Sequence, residues 1–123
     1  MFLRDRNPHI EPEAVIEAVE NPHDRQILAY TQSGAVSAQD IIEATDIPKS
    51  TAYRRIQRLQ ELGLLYVEAG QIKAGHAIDL FRARVEMISL LVEGGNVEAH
   101  WRLNERPDER LHRLWANLAG GGS

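Results

Sequence analysis

The sequence predicts an α+β fold, with helices in the first half of the chain and β-hairpins in the second. Two observations carry this. Between Pro12 and Leu62 apolar residues recur at three- and four-residue intervals, as on one face of a helix. Beyond Leu64, β-favouring runs are punctuated by glycines, and Val97, Ala99, Trp101 and Leu103 alternate with Glu98, His100 and Arg102.

The elements follow in order. Met1 to Ile10 is polar, carries Pro8 and reads as a frayed arm. Glu11-Pro12-Glu13 opens a helix, with proline in the first turn and acids at the positive end of the dipole. Val15, Ile16 and Val19 form its apolar face, and it ends before Asn21-Pro22. Asp24 caps a second helix containing Ile27, Leu28 and Tyr30, which Ser33-Gly34 ends. Ser37 caps a short third helix through Ile41, Ile42 and Ala44.

Thr45-Asp46-Ile47-Pro48 is a tight turn, and a fourth helix follows. Ala52, Ile56, Leu59 and Leu62 form its inner face. Lys49, Ser50, Thr51, Tyr53, Arg54, Arg55 and Arg58 are assigned to the outer one. Two helices joined by such a turn have the dimensions of a helix-turn-helix, whose second helix enters the major groove. Gly63 stops that helix, Leu64–Val67 favours β structure, and Ala69-Gly70 reads as a reversal before Gln71-Ile72-Lys73. A two-stranded ribbon directly after a recognition helix is a wing.

Between Ala77 and Leu103, Ile78, Phe81, Val85, Ile88 and Val92 fit a helical stripe. They also fit strands broken near residues 82–84, followed by a hairpin turning at Gly94-Gly95-Asn96. The period of two from Val97 to Leu103 needs a partner strand, so the hairpin is preferred. Pro107-Asp108 opens a last helix with Leu111, Leu114, Trp115 and Leu118 on one face. The predicted architecture is a winged helix-turn-helix with a C-terminal β-hairpin and terminal helices. Its parts are an arm (1–10), a winged helix-turn-helix unit (11–76), an accessory or dimerisation region (77–119) and a flexible tail (120–123).

The chain has 123 residues, 43% hydrophobic and 26% charged, as expected for one soluble domain. It has no cysteine, so disulfides, thiolate metal sites and cysteine nucleophiles are excluded. No apolar run approaches the roughly 20 residues of a membrane helix, and the N-terminus lacks a signal-peptide apolar core. No membrane association and a cytoplasmic location are expected. The net charge of −4 argues at first sight against nucleic acid, but Ser50 to Gln60 holds three arginines and no acid. Exposed charges are screened beyond roughly 8–10 Å, so a local basic face can act on an acidic body.

On the motifs S-T-x-Y-R-R-I-x-R-L-x-x-x-G-L-L, EAVIEAVENPHDRQILAYT and LFRARVEMISLLVEGGNVEAHW, the chain resembles the small winged helix-turn-helix transcription regulators common in archaea, related to the ArsR-like group. The resemblance implies a homodimer that binds a palindromic double-stranded DNA operator. It implies base- and phosphate-facing roles for Ser50, Thr51, Tyr53 and Arg54, and a buried back of Ala52, Ile56 and Leu59. Metal sensing through cysteines, frequent in that group, does not carry over.

For Arg54, Arg55 and Arg58, DNA contact is preferred over a solvated helix face because they lie between a helix-turn-helix turn and a wing. Ser50 and Thr51 are read as caps, phosphate contacts or both. Tyr53 contacts DNA or packs on the first helix, and Lys73 and His76 on the wing are candidate backbone contacts. The histidines His9, His23, His76, His100 and His112 lack ligand-like spacing, so no metal is expected. Trp101 and Trp115 fit core or interface better than a ligand pocket. No phosphate-cradling loop, nucleophile elbow or catalytic dyad occurs, so neither an enzyme nor a cofactor is expected. The alternatives to a DNA-binding regulator are a protein-interaction winged helix and a ligand-responsive regulator without catalysis.

Overall fold

The computed structural model describes residues 9–105, 111 and 114–118 of the chain. The expected arm up to residue 8, the Pro107-Asp108 helix start and the 120–123 tail lie outside them. The described elements are α1 (Pro12–Glu20), α2 (Pro22–Thr31), β1 (Val36–Ser37), α3 (Ala38–Ala44), α4 (Lys49–Glu61), β2 (Leu65–Lys73), β3 (His76–Ala83), β4 (Val85–Glu93) and β5 (Asn96–Leu103). The fold is α+β, a winged helix-turn-helix followed by a separate β-hairpin.

Local chemistry explains the helix boundaries. Ser37 and Asp40 form a reciprocal capping box at the start of α3: the Ser37 side chain accepts from the Asp40 N–H, and the Asp40 carboxylate accepts from the Ser37 N–H. Asn21, not Asp24, caps α2, its side-chain oxygen accepting from the His23 and Asp24 N–H groups. Pro22 therefore sits in the first turn, where its missing donor costs nothing. Gly63, at φ +81°, lets the chain turn left-handed after α4, and the Leu64 N–H donates back to the Leu59 carbonyl at 2.9 Å.

The three-stranded sheet is antiparallel in the order β1-β3-β2. The wing reverses at Ala74-Gly75 rather than at Ala69-Gly70: β2 runs unbroken to Lys73, which faces His76. A two-residue hairpin turn of type I′ requires positive φ at both central positions, and Ala74 (53°) and Gly75 (80°) have it. Gly70 does not reverse the chain; it lies within β2, just past an irregularity between Val67 and Ala69. The expected division after residue 76 thus falls at the wing tip, inside one hydrogen-bonded hairpin.

The core lies between the helices and the inner face of this sheet. Val15, Ile27, Ile41, Leu59 and Leu64 are fully buried there. Ile10, placed in the arm by its sequence, is only 6% exposed and belongs to this core. At roughly 1.5–3 kcal/mol per fully buried aliphatic side chain, this cluster is the main stabilising contribution.

The hairpin reading of 85–103 is correct, with its turn at Gly94 (60°) and Gly95 (83°) and the preceding break at Arg84. Ile88 faces Trp101, Leu90 faces Ala99, and Val92 faces Val97, giving one apolar face. Its proximal part, Ile88, Ala99 and Trp101, packs on the core, and α1 lies against β5. Val92 and Val97, farther out, are 75% and 51% exposed. Leu111 and residues 114–118 are helical, with Leu111, Leu114, Trp115 and Leu118 all exposed.

Candidate nucleic-acid interface

Helix α4 sits behind α3 after the turn at residues 45–48, and its back is anchored by Ala52, Ile56 and Leu59. Its outer surface is not the single basic face expected from the sequence. At about 100° per residue, Arg55 lies roughly 160° around the helix from Tyr53 and from Gln57. It therefore sits on the same side as Leu59, and its side chain is only 16% exposed.

Arg55 makes a forked ion pair with Asp24 of α2: Nε donates to Oδ1 at 2.7 Å and Nη2 to Oδ2 at 2.6 Å. The Asp24 side chain is completely buried. Arg58, one turn on, makes a second fork with Glu17 of α1, with Nε and Nη2 each at 2.9 Å from a carboxylate oxygen. Glu17 also lies 3.5 Å from Arg55, and Arg58 lies 3.4 Å from Glu61. The hydrogen bond from Arg58 holds the Glu17 carboxyl below its ordinary value, against a smaller opposing effect of desolvation. The hydrogen bond it donates to Asp24 raises Arg55, and that donated to Glu17 raises Arg58. Both guanidinium groups are thus committed to acids of the same chain, where open cations were expected.

What remains on the outer surface is the N-terminal half of α4. Lys49, Ser50, Tyr53 and Arg54 are exposed, and Thr51 is partly so. Tyr53 is 47% exposed. It borders a cleft of about 530 Å³ between α3 and the wing, with Gln39, Glu43 and Lys73 among its lining. Gln57 is exposed beside these residues and was missed in the sequence. The signal was present, because Ser50, Tyr53, Arg54 and Gln57 follow the i, i+3, i+4, i+7 pattern of one face.

Ser50 and Thr51 do not cap α4. Pro48 occupies the cap position, and no side chain bonds the first-turn N–H groups. Free donors at the positive end of a helix dipole suit a phosphate. Lys73 and His76 are both exposed and flank the wing turn.

Residues 19–68 match the family model of a helix-turn-helix domain. Over that stretch the chain is similar to such a domain. The match runs from the end of α1 into β2, and it supports DNA binding and a role in transcription regulation. None of the curated proteins matches the chain. Among the described residues no group of three His, Asp or Glu side chains is arranged to hold a metal ion, and no helix is long and apolar enough to cross a membrane.

Proposed function

We propose that this chain is a sequence-specific double-stranded DNA-binding transcription regulator, acting in the cytoplasm as a homodimer on a palindromic operator and without catalysis. The observation that carries this reading is the N-terminal half of α4. There a cluster of hydroxyl, amide, aromatic and cationic side chains stands exposed on the second helix of a helix-turn-helix, beside an uncapped helix end. Arg54 is the candidate for a guanine contact, Ser50, Tyr53 and Gln57 for adjacent base edges, and Lys49, Thr51, Lys73 and His76 for the backbone. Arg55 and Arg58 leave the contact set because their guanidinium groups are turned to Asp24 and Glu17.

The dimer surface we propose is the C-terminal region. The apolar side of α1 is already covered, since Ala14, Val15 and Ala18 are buried within the chain's own core. The distal hairpin face and the Leu111–Leu118 stripe remain exposed, and large uncovered apolar surfaces mark association sites. Half-sites about one helical turn apart are expected for such a dimer. The ArsR-like relationship stays part of this proposal and rests on the sequence pattern alone. Genome-wide mapping of bound sites tests the reading, because it gives the operator if DNA is the partner and no enriched motif if it is not.

One observation favours a second reading, a protein-interaction winged helix. Asp40, Glu43 and Asp79 line the cleft beside Tyr53, an acidic surface next to the proposed DNA face. Charge reversal at Arg54 separates the two, abolishing operator binding under the first reading and leaving function intact under the second.

A further inference from the structure

The apolar back of α4 is small. It consists of Ala52, Ile56 and Leu59, and contacts of this kind are non-directional. They fix which face of the helix is buried and constrain the fine angle of its rotation less tightly than directional contacts do. That rotation matters for reading DNA. A turn of about 20° carries a side-chain tip roughly 5 Å from the axis through roughly 2 Å, whereas recognition geometry tolerates about 0.5 Å.

The directional contacts on this helix come from Arg55 and Arg58. Each guanidinium fork engages both oxygens of a carboxylate, and the two carboxylates belong to different helices, Asp24 on α2 and Glu17 on α1. A planar fork on a planar acceptor constrains orientation as well as distance. Two such constraints one turn apart, with one acceptor wholly buried, leave the helix little rotational freedom.

We propose that Arg55 and Arg58 are positioning residues: their ion pairs to Asp24 and Glu17 set the rotation of α4, so that Ser50, Tyr53, Arg54 and Gln57 meet the base edges in register. This rests on the DNA-binding reading above. Neither arginine touches the duplex; each acts through the helix that carries the reading side chains. The Arg55–Asp24 pair contributes geometry more than stability, since a buried ion pair replaced by apolar groups of similar volume is often neutral or stabilising. The Arg58–Glu17 pair is partly exposed, where ion pairs add little stability.

The test uses the full chain and two probes, a duplex selected by the wild type from a random-sequence library and an unselected random duplex. The readouts are the affinity ratio between the probes, the slope of log affinity against log salt, and the melting temperature. In the double variant Asp24→Leu/Arg55→Met, we expect melting at or above the wild-type temperature, a ratio at least tenfold lower, and an unchanged salt slope. Lys49→Ala is the reference for a backbone contact, with a slope lower by about one. Arg55→Lys keeps the charge but loses the fork. It is expected to lower the ratio at constant slope, and it serves should the double variant not fold.

A slope lower by about one in the double variant would make Arg55 a phosphate contact and overturn the proposal. A folded variant with an unchanged ratio would make the pair merely structural and overturn it as well. A wild type that selects no duplex removes the DNA-binding reading itself, a failure distinct from those two.

Discussion

Asn104 closes the β-hairpin onto Arg84. Its backbone N–H donates to the Arg84 carbonyl at 2.7 Å, and its own carbonyl accepts from Arg84 Nη1 at 3.2 Å. The Asn104 side chain donates in turn to the Gln32 carbonyl after α2 (2.9 Å) and to the Ala83 carbonyl at the end of β3 (3.1 Å). Gln32 donates back to the Val85 and Glu86 carbonyls. Asn104→Ala leaves two carbonyls without this donor in a site where Asn104 is 8% exposed. A loss of about 1–3 kcal/mol in urea unfolding is expected.

Arg54→Ala is expected to weaken binding to a selected duplex by about ten- to a hundredfold, the range of one good guanine contact. Because Arg54 is exposed and outside the core, melting stays unchanged. Gel-shift titration beside a melting curve separates the two effects.

Stability is expected to fall in acid, with Glu17 as part of the reason. Its folded-state carboxyl lies below its ordinary value of 4.5. Its contribution is therefore fully present above that value and is lost as pH falls through the lower folded one. Melting temperatures between pH 7 and pH 3 should show a smaller acid drop in Glu17→Gln than in the wild type. Since the side chain is 37% exposed, added salt shrinks the difference.

Ala74 holds a left-handed conformation at the wing tip, with φ at 53°. Asparagine tolerates that region better than alanine, and Asn-Gly is a preferred pair for a turn with both φ values positive. Ala74→Asn should raise stability by up to about 1 kcal/mol, measured by thermal unfolding.

Leu114→Glu/Trp115→Glu places charges on the exposed helical stripe. Sedimentation equilibrium at micromolar concentration should show a wild-type dimer and a variant monomer. A wild-type monomer under those conditions excludes the proposed assembly.

Much of the fold could be read directly from residues. Ser37 announced the start of α3, Pro48 the turn before α4, and the alternation around Trp101 the last hairpin. The wing turn was misplaced because Ala-Gly occurs at both 69–70 and 74–75, and only the pairing of the whole of β2 with β3 selects the second. Asp24 was read as a cap because acids favour that position. Its actual partner, Arg55, lies 31 residues away, beyond any local signal. Arg55 itself was recoverable: the helical period puts it opposite Tyr53, and grouping it with the other arginines by charge alone hid that.

Arg84 is the only residue between β3 and β4, and hydrogen bonds grip it from both sides, its N–H on the Leu64 carbonyl and its carbonyl on Asn104. The wing and the hairpin are therefore joined without slack. If the hairpin is where two copies meet, each reading head is held rigidly relative to the other, and no linker can absorb a change in their phasing. Inserting one base pair between the half-sites rotates one against the other by about 35° and separates them by about 3.4 Å. A tethered pair of domains would accommodate that step; this protein should lose its operator.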